Sequence, residues 1–182
     1  NIISAVNDGI NCEEYFQMKS GVVNISGVGD DGIQCDLGGE KSTGETEDHD
    51  DEDSGNIYIE AGTLTQDVAT KGIKAQGDLR ITGGTITATS SGHEAIEAKG
   101  VMTIEDGTVY AFSKTDDAIN SGSHMYLKGG TVTGVSNGND GIDSNGNLYI
   151  EGGTVIACGT GQPECGVDAA ERYKLYITGG TV

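Results

Sequence analysis

Apolar residues return along this chain on a fixed clock. Isoleucine follows a small residue at Ile10, Ile33, Ile73, Ile96, Ile119 and Ile142; the last four stand 23 residues apart, and so do the first two. Further apolar columns keep step with it. Six positions later come Phe16, Leu79, Met102, Met125 and Leu148, and eight later come Met18, Ile81, Ile104, Leu127 and Ile150. Thirteen later come Val23, Ile86, Val109, Val132 and Val155. Small residues (Cys12, Cys35, Ala75, Ala98, Ser121, Ser144) hold the position two later. Within each segment apolar and polar positions alternate, which is strand periodicity and not the helical one. Steps such as Asn145-Gly146-Asn147 and Gly152-Gly153 separate the segments and accept the backbone that sharp corners need.

Three short strands per repeat, with the same columns in every turn, predict an all-β chain. The architecture is a right-handed parallel β-helix of about seven rungs of 23 residues, one domain over residues 1–182. Each strand pairs with its equivalent in the next rung, about 4.8 Å away. Propeller blades need four strands and sandwiches alternate antiparallel registers, so neither fits. A calcium-binding nonapeptide roll is excluded because no nine-residue period is present. Two rungs depart from the pattern. Ile33 to Ile57 is 24 residues where six is normal, an acidic insertion over 36–55 in rung two. It reads as a solvated loop, with a calcium-ordered loop over the sheet as the alternative. The seventh rung, starting at Val167, carries two extra residues near Ala170-Glu171.

Composition narrows the partners. Lys and Arg number 10 against 29 Asp and Glu, a net charge of −19 that repels nucleic acid and anionic membrane and favours cations. No apolar run approaches the ~18 residues of a membrane span. The chain starts at Asn1 and stops inside a repeat at Val182, so its ends read as trimmed, and bare end rungs imply caps. Four cysteines suit a secreted chain. Cys158 and Cys165 flank a turn and either close a disulfide or stay free; Cys12 and Cys35 stack in the inward column and read as free, buried thiols.

The chemistry concentrates beside the repeat isoleucine. Two positions before it stand Asp8, Asp31, Lys71, Glu94, Asp117 and Asp140; one after it stand Asn11, Gln34, Lys74, Glu97, Asn120, Asp143 and Asp168. In-register stacking brings Glu94, Glu97, Asp116, Asp117, Asn120, Asp140 and Asp143 to one corner, where like charges a rung apart raise each other's pKa. Ca²⁺, which takes oxygen ligands from carboxylates and amides, removes that repulsion, so these seven residues are the candidate calcium ligands. Asp8, Asp30 and Asp31 form a second candidate metal cluster. Lys71 and Lys74 separate the two zones and are expected to pair with both. A tyrosine column (Tyr58, Tyr126, Tyr149, Tyr176) either offers a platform for sugar rings or stacks to stabilise the sheet. Tyr126, Tyr149 and Tyr176 are the candidate ligand-binding residues. The Thr85, Thr108, Thr131 and Thr154 ladder reads as β-propensity, and His49, His93 and His124 read as surface residues.

The ordered series Lys-Gly-Ile-Lys-Ala (71–75), Glu-Ala-Ile-Glu-Ala (94–98), Asp-Asp-Ala-Ile-Asn (116–120) and Asn-Asp-Gly-Ile-Asp-Ser-Asn-Gly (139–146), with Gly-Gly-Thr between, resembles a known family. This is the bacterial secreted carbohydrate-binding β-helix family, itself similar to the family-nine polysaccharide lyases, the calcium-dependent pectate lyases. The resemblance implies an extracellular or cell-surface setting, bound Ca²⁺ and affinity for plant cell-wall polysaccharide, pectin or cellulose. The lyases' Asp-Asp-x-x-Asp calcium segment maps onto 116–120, with Asn120 in its last place. Elimination also needs a neutral Lys or Arg beside the metal. The stretch from Ser144 to Val167 holds neither, and Lys99, Lys114 and Lys128 read as surface charges. A non-catalytic, calcium-dependent polysaccharide-binding module is therefore the expectation. A pectate lyase-like enzyme is the first alternative and a surface spacer or adhesin rod the second.

Overall fold

The computed structural model describes residues 1–2, 4–37 and 54–182, and among these there are strands and turns but no helix. Three parallel sheets run the length of the molecule. The first holds the repeat-isoleucine strands, from Ile10–Cys12 through Ile96–Ala98 and Ile119–Ser121 to Val167–Ala169. The second runs from Tyr15–Met18 to Leu175–Ile177, and the third from Val22–Ser26 to Thr154–Cys158. The first two have seven strands and the third six, so the chain is a β-solenoid of about seven turns, as the periodicity predicts.

Registers follow the columns. Ile73, Ile96, Ile119 and Ile142 are mutual partners along the first sheet, and Leu79, Met102, Met125 and Leu148 along the second. These side chains are fully buried and make one continuous core. Pairing resumes in phase after the insertion, because Asn56–Ile59 lies on Tyr15–Met18. Of the acidic insertion over 36–55, residues 38–53 lie outside the described residues, and with them both readings of the loop. The seventh rung absorbs its extra residues in a turn closed by the Tyr173 N–H to Ala170 carbonyl bond of 2.7 Å, after which Leu175 regains its place beside Leu148.

The Gly-Gly-Thr motif marks the corner entering the third sheet. Gly130 has φ +72°, and a Cβ there would stand 2.4 Å from the Gly107 carbonyl oxygen of the preceding rung. Glycine is needed both for the backbone angle and for the close approach of the turns.

All four cysteines are free. Cys35 is buried beside Cys12, and its thiol is pushed up to about 12, mainly by burial. Cys12 is only half-buried, since it lies in the edge strand of its sheet with Cys35 as its one strand neighbour. Cys158 and Cys165 are exposed and unbridged.

Core and corner are separable by mutation. Ile96→Ala, at a fully buried site, should cost about 2–5 kcal/mol in urea unfolding. Gly130→Ala should cost about 1–3 kcal/mol through its backbone. Val22→Ala, at a side chain 68% exposed, should stay within about 0.5 kcal/mol.

Candidate functional site

The corner between the third and first sheets is built by serines. Ser113 donates its hydroxyl to the His93 carbonyl (2.7 Å) and accepts the Asp116 N–H (3.0 Å). One rung on, Ser136 donates to the Asp116 carbonyl and accepts the Asn139 N–H (2.8 Å). Ser90, Ser113 and Ser136 are buried and 23 residues apart, a periodic signal in the sequence that the acidic columns overshadow. They hold the turns that deliver each rung's carboxylates.

The aspartates two before the repeat isoleucine then stitch rung to rung. Asp8 accepts the Asp31 N–H (3.0 Å), Asp31 the Lys71 N–H (3.0 Å) and Asp117 the Asp140 N–H (3.0 Å). Asp140 likewise accepts the Cys165 N–H. These aspartates therefore have a backbone role in addition to their charge.

Lysine divides the acids into two groups. Glu97 is 1% exposed and receives both Lys71 and Lys99, while Lys71 also lies 3.2 Å from Glu94. Burial alone would raise the Glu97 carboxyl, but hydrogen bonds from the two ammonium groups hold it below its ordinary range. Burial alone would lower Lys71, and Glu97 and Glu94 reverse that. Lys74 lies 3.2 Å from Asp31 and donates to Gln34 (2.6 Å). Lys71 and Lys74 thus separate the two acidic zones, one paired downstream and the other upstream. Lys99, expected as an ordinary surface charge, instead helps to neutralise a buried carboxylate.

The carboxylates farther along have no such partner. Asp117, Asn120 and Asp140 are buried, and among the described residues no lysine or arginine forms an ion pair with Asp117, Asp140, Asp143 or Asp168. Asn120 bridges two of them, donating Nδ2 to Asp117 Oδ2 and Asp143 Oδ2 at 2.9 Å each. Oxygens of Asp140, Asp143 and Asp168 lie within 4.8 Å of one another. Burial pushes Asp117 up to about 6, despite hydrogen bonds from Asn120 and the Asp140 N–H. Burial followed by the charges of Asp117, Asp168 and Asp140 pushes Asp143 up to about 7. Asp140 is raised by burial and by Asp168. A set of oxygens, crowded and without counter-charge, fits a hard divalent cation of the Ca²⁺ type.

Of the seven candidate ligands, the structure brings Asp117, Asn120, Asp140 and Asp143 together and adds Asp168. Asp168, in the same sequence column as Asp143 but not among the candidate ligands, pairs in register with it. Glu94 and Glu97 belong to Lys71. Asp116 groups with His93 and Glu94, its oxygen 3.9 Å from His93 Nδ1. The second cluster, Asp8, Asp30 and Asp31, also has oxygens within 4.8 Å of one another, but Lys74 and four other donors already satisfy it in part.

Tyr126, Tyr149 and Tyr176 stack with centroids 4.8 and 4.9 Å apart and planes within 4° and 6°. Tyr149 is sandwiched, so the column turns ring edges and hydroxyls outward, and its geometry is that of sheet stacking. His124 is more than a surface residue. Its Nδ1 accepts the Asn147 N–H (2.9 Å) and its ring meets Tyr149 and Tyr173 at steep angles. His49 lies outside the described residues.

A family model described as "Carbohydrate-binding domain-containing protein" matches residues 1–163. No curated protein and no solved structure matches the chain.

The raised carboxyls fix a pH dependence in the metal-free protein. A carboxyl whose folded pKa exceeds its unfolded value of about 3.9 contributes stability below that value and loses it as pH rises through the folded pKa. Asp117 and Asp143, at about 6 and about 7, place that loss between about pH 4 and pH 7. Thermal melts in EDTA should show Asp143→Asn melting alongside wild type near pH 4 and above it at pH 7.5. Equal melting temperatures at pH 7.5 would mean the carboxylate is simply solvated.

Proposed function

The chain belongs to the carbohydrate-binding domain-containing family, and we propose that it holds an acidic cell-wall polysaccharide at the bacterial cell surface through Ca²⁺, without turning the polymer over. The observation that carries this is the uncompensated corner of Asp117, Asn120, Asp140, Asp143 and Asp168. Elsewhere the chain neutralises buried acid with lysine, at Glu97 above all. Here it leaves several carboxylates facing one another at the border between buried and exposed. Ca²⁺ bound there would cancel the repulsion and present open coordination positions to the carboxylates of a uronate polymer.

The protein's net charge of −19 supports a bridging cation, since an acidic polymer would otherwise be repelled. The Asn120 amide orients Asp117 and Asp143, and the Cys165 N–H holds one oxygen of Asp140. These contacts orient the remaining oxygens before a cation arrives, which lowers the ordering cost of binding it. Absence of turnover is supported by the bases. Elimination requires a neutral amine or guanidine at the α-proton of the bound uronate. Ser144 to Val167 contains no Lys or Arg, and Lys71 is held in its charged form by Glu97 and Glu94.

Insoluble polygalacturonate should pull the protein down in CaCl₂ and release it in EDTA, and Ca²⁺ should raise the melting temperature by mass action. Asp117→Asn with Asp143→Asn should weaken retention at least about tenfold, equivalent to about 1.4 kcal/mol. Absorbance of unsaturated product should stay flat. A rise would make the protein a lyase, and retention in EDTA would remove calcium from the reading.

A further inference from the structure

The second sheet carries an unassigned feature at the end opposite the tyrosine stack. Tyr15, Gln17, Tyr58, Glu60, Arg80 and Thr82, from three successive rungs, line a cavity of about 410 Å³. That is the size of a small-molecule site, about 300–1,000 Å³. Its aromatic wall differs from the downstream column. Tyr15 and Tyr58 meet edge to face, centroids 6.2 Å apart and planes at 68°, and Tyr15 is 50% exposed. In its own column Tyr58 stands between Gln17 and Arg80, so no ring covers it in register, and Tyr15 belongs to the neighbouring position opposite Asn56. Steeply angled rings form a corner rather than a closed stack, so the apolar face of a sugar can lie against one ring with the other as a side wall.

The polar groups are placed to read hydroxyls. Arg80 gives Nε and Nη2 to a single oxygen of Glu105, at 3.1 and 2.9 Å, and with its side chain 54% exposed keeps further donors for a ligand. Gln17 donates to Glu60 Oε1 at 2.5 Å, which aligns an amide oxygen and a second carboxylate oxygen at the cavity. Thr82 adds a hydroxyl. Charge decides the ligand class. Glu105 already offsets Arg80, and Glu60 leaves the wall negative, so a uronate would meet repulsion while an uncharged ring meets donors and acceptors alike.

We propose that this cavity binds an uncharged sugar ring of a glycan, separately from the acidic corner and without Ca²⁺. The inference rests on the carbohydrate-binding reading but not on its calcium. Tyr58 stands three rungs before Tyr126, about 14 Å at 4.8 Å per rung, so the two aromatic features share one face without touching. The module then has two modes, a cation-bridged one for acidic polymer and a cation-free one for neutral polymer.

Cellohexaose, mannohexaose and xylohexaose titrated calorimetrically into the intact protein in EDTA test this. At least one should bind. Tyr15→Ala and Arg80→Ala, both at exposed positions, should each weaken that binding about tenfold or more, with circular dichroism and melting temperature as in wild type. Asp143→Asn should leave it unchanged. Binding of none of the three sugars in EDTA overturns the proposal, as does wild-type affinity in both cavity variants. Polygalacturonate retention in CaCl₂ is read separately, so loss of the calcium mode and loss of the cavity mode are distinguishable.

Discussion

In-register parallel stacking is the constraint from which the rest of the molecule follows. Each residue lies directly over its equivalent one turn away, so a choice at one position is repeated as a column along the solenoid. Inward columns benefit, because isoleucine on isoleucine and leucine on methionine close a core with nothing larger than a small residue at the tight positions. Glycine at the corners lets the turns approach closely enough for the ladder to form.

Outward columns of charge carry the same repetition as a liability. A carboxylate stacked on a carboxylate is destabilising wherever water cannot screen it. The chain answers this in two ways. In the middle rungs it interleaves lysine, and Lys71 with Lys99 encloses Glu97 so completely that the carboxylate stays charged in a buried place. In the later rungs it interleaves only Asn120, which aligns Asp117 and Asp143 without neutralising them. The contrast between these neighbouring stretches of one sheet distinguishes a neutralised acid from an uncompensated one. Count of acids does not, since both stretches are rich in them.

Aromatic columns obey the same rule with a different outcome. Rings repeated in register at Tyr126, Tyr149 and Tyr176 stack on one another, with both faces of Tyr149 covered. Where a ring has no ring in register beside it, as at Tyr58 between Gln17 and Arg80, it meets Tyr15 at an angle and a cavity opens. Regularity builds the solenoid, and interruption of regularity opens the cavity.

The sequence by itself determined the solenoid, its period, the inward columns, the insertion after Ile33 and the stretched last rung, because strand pairing at a fixed repeat leaves no freedom in which residue lies over which. It also identified the acidic corner, since a column of aspartates is a property of register alone. Which acids stay free was decided by tertiary structure. The reach of Lys71 and Lys99 to Glu97 depends on side-chain direction, and so does the approach of the Asp168 carboxylate to Asp140 and Asp143. The same holds for the tyrosines. Period places rings in one column, but only the packed rotamers decide whether they present faces to a ligand or to each other.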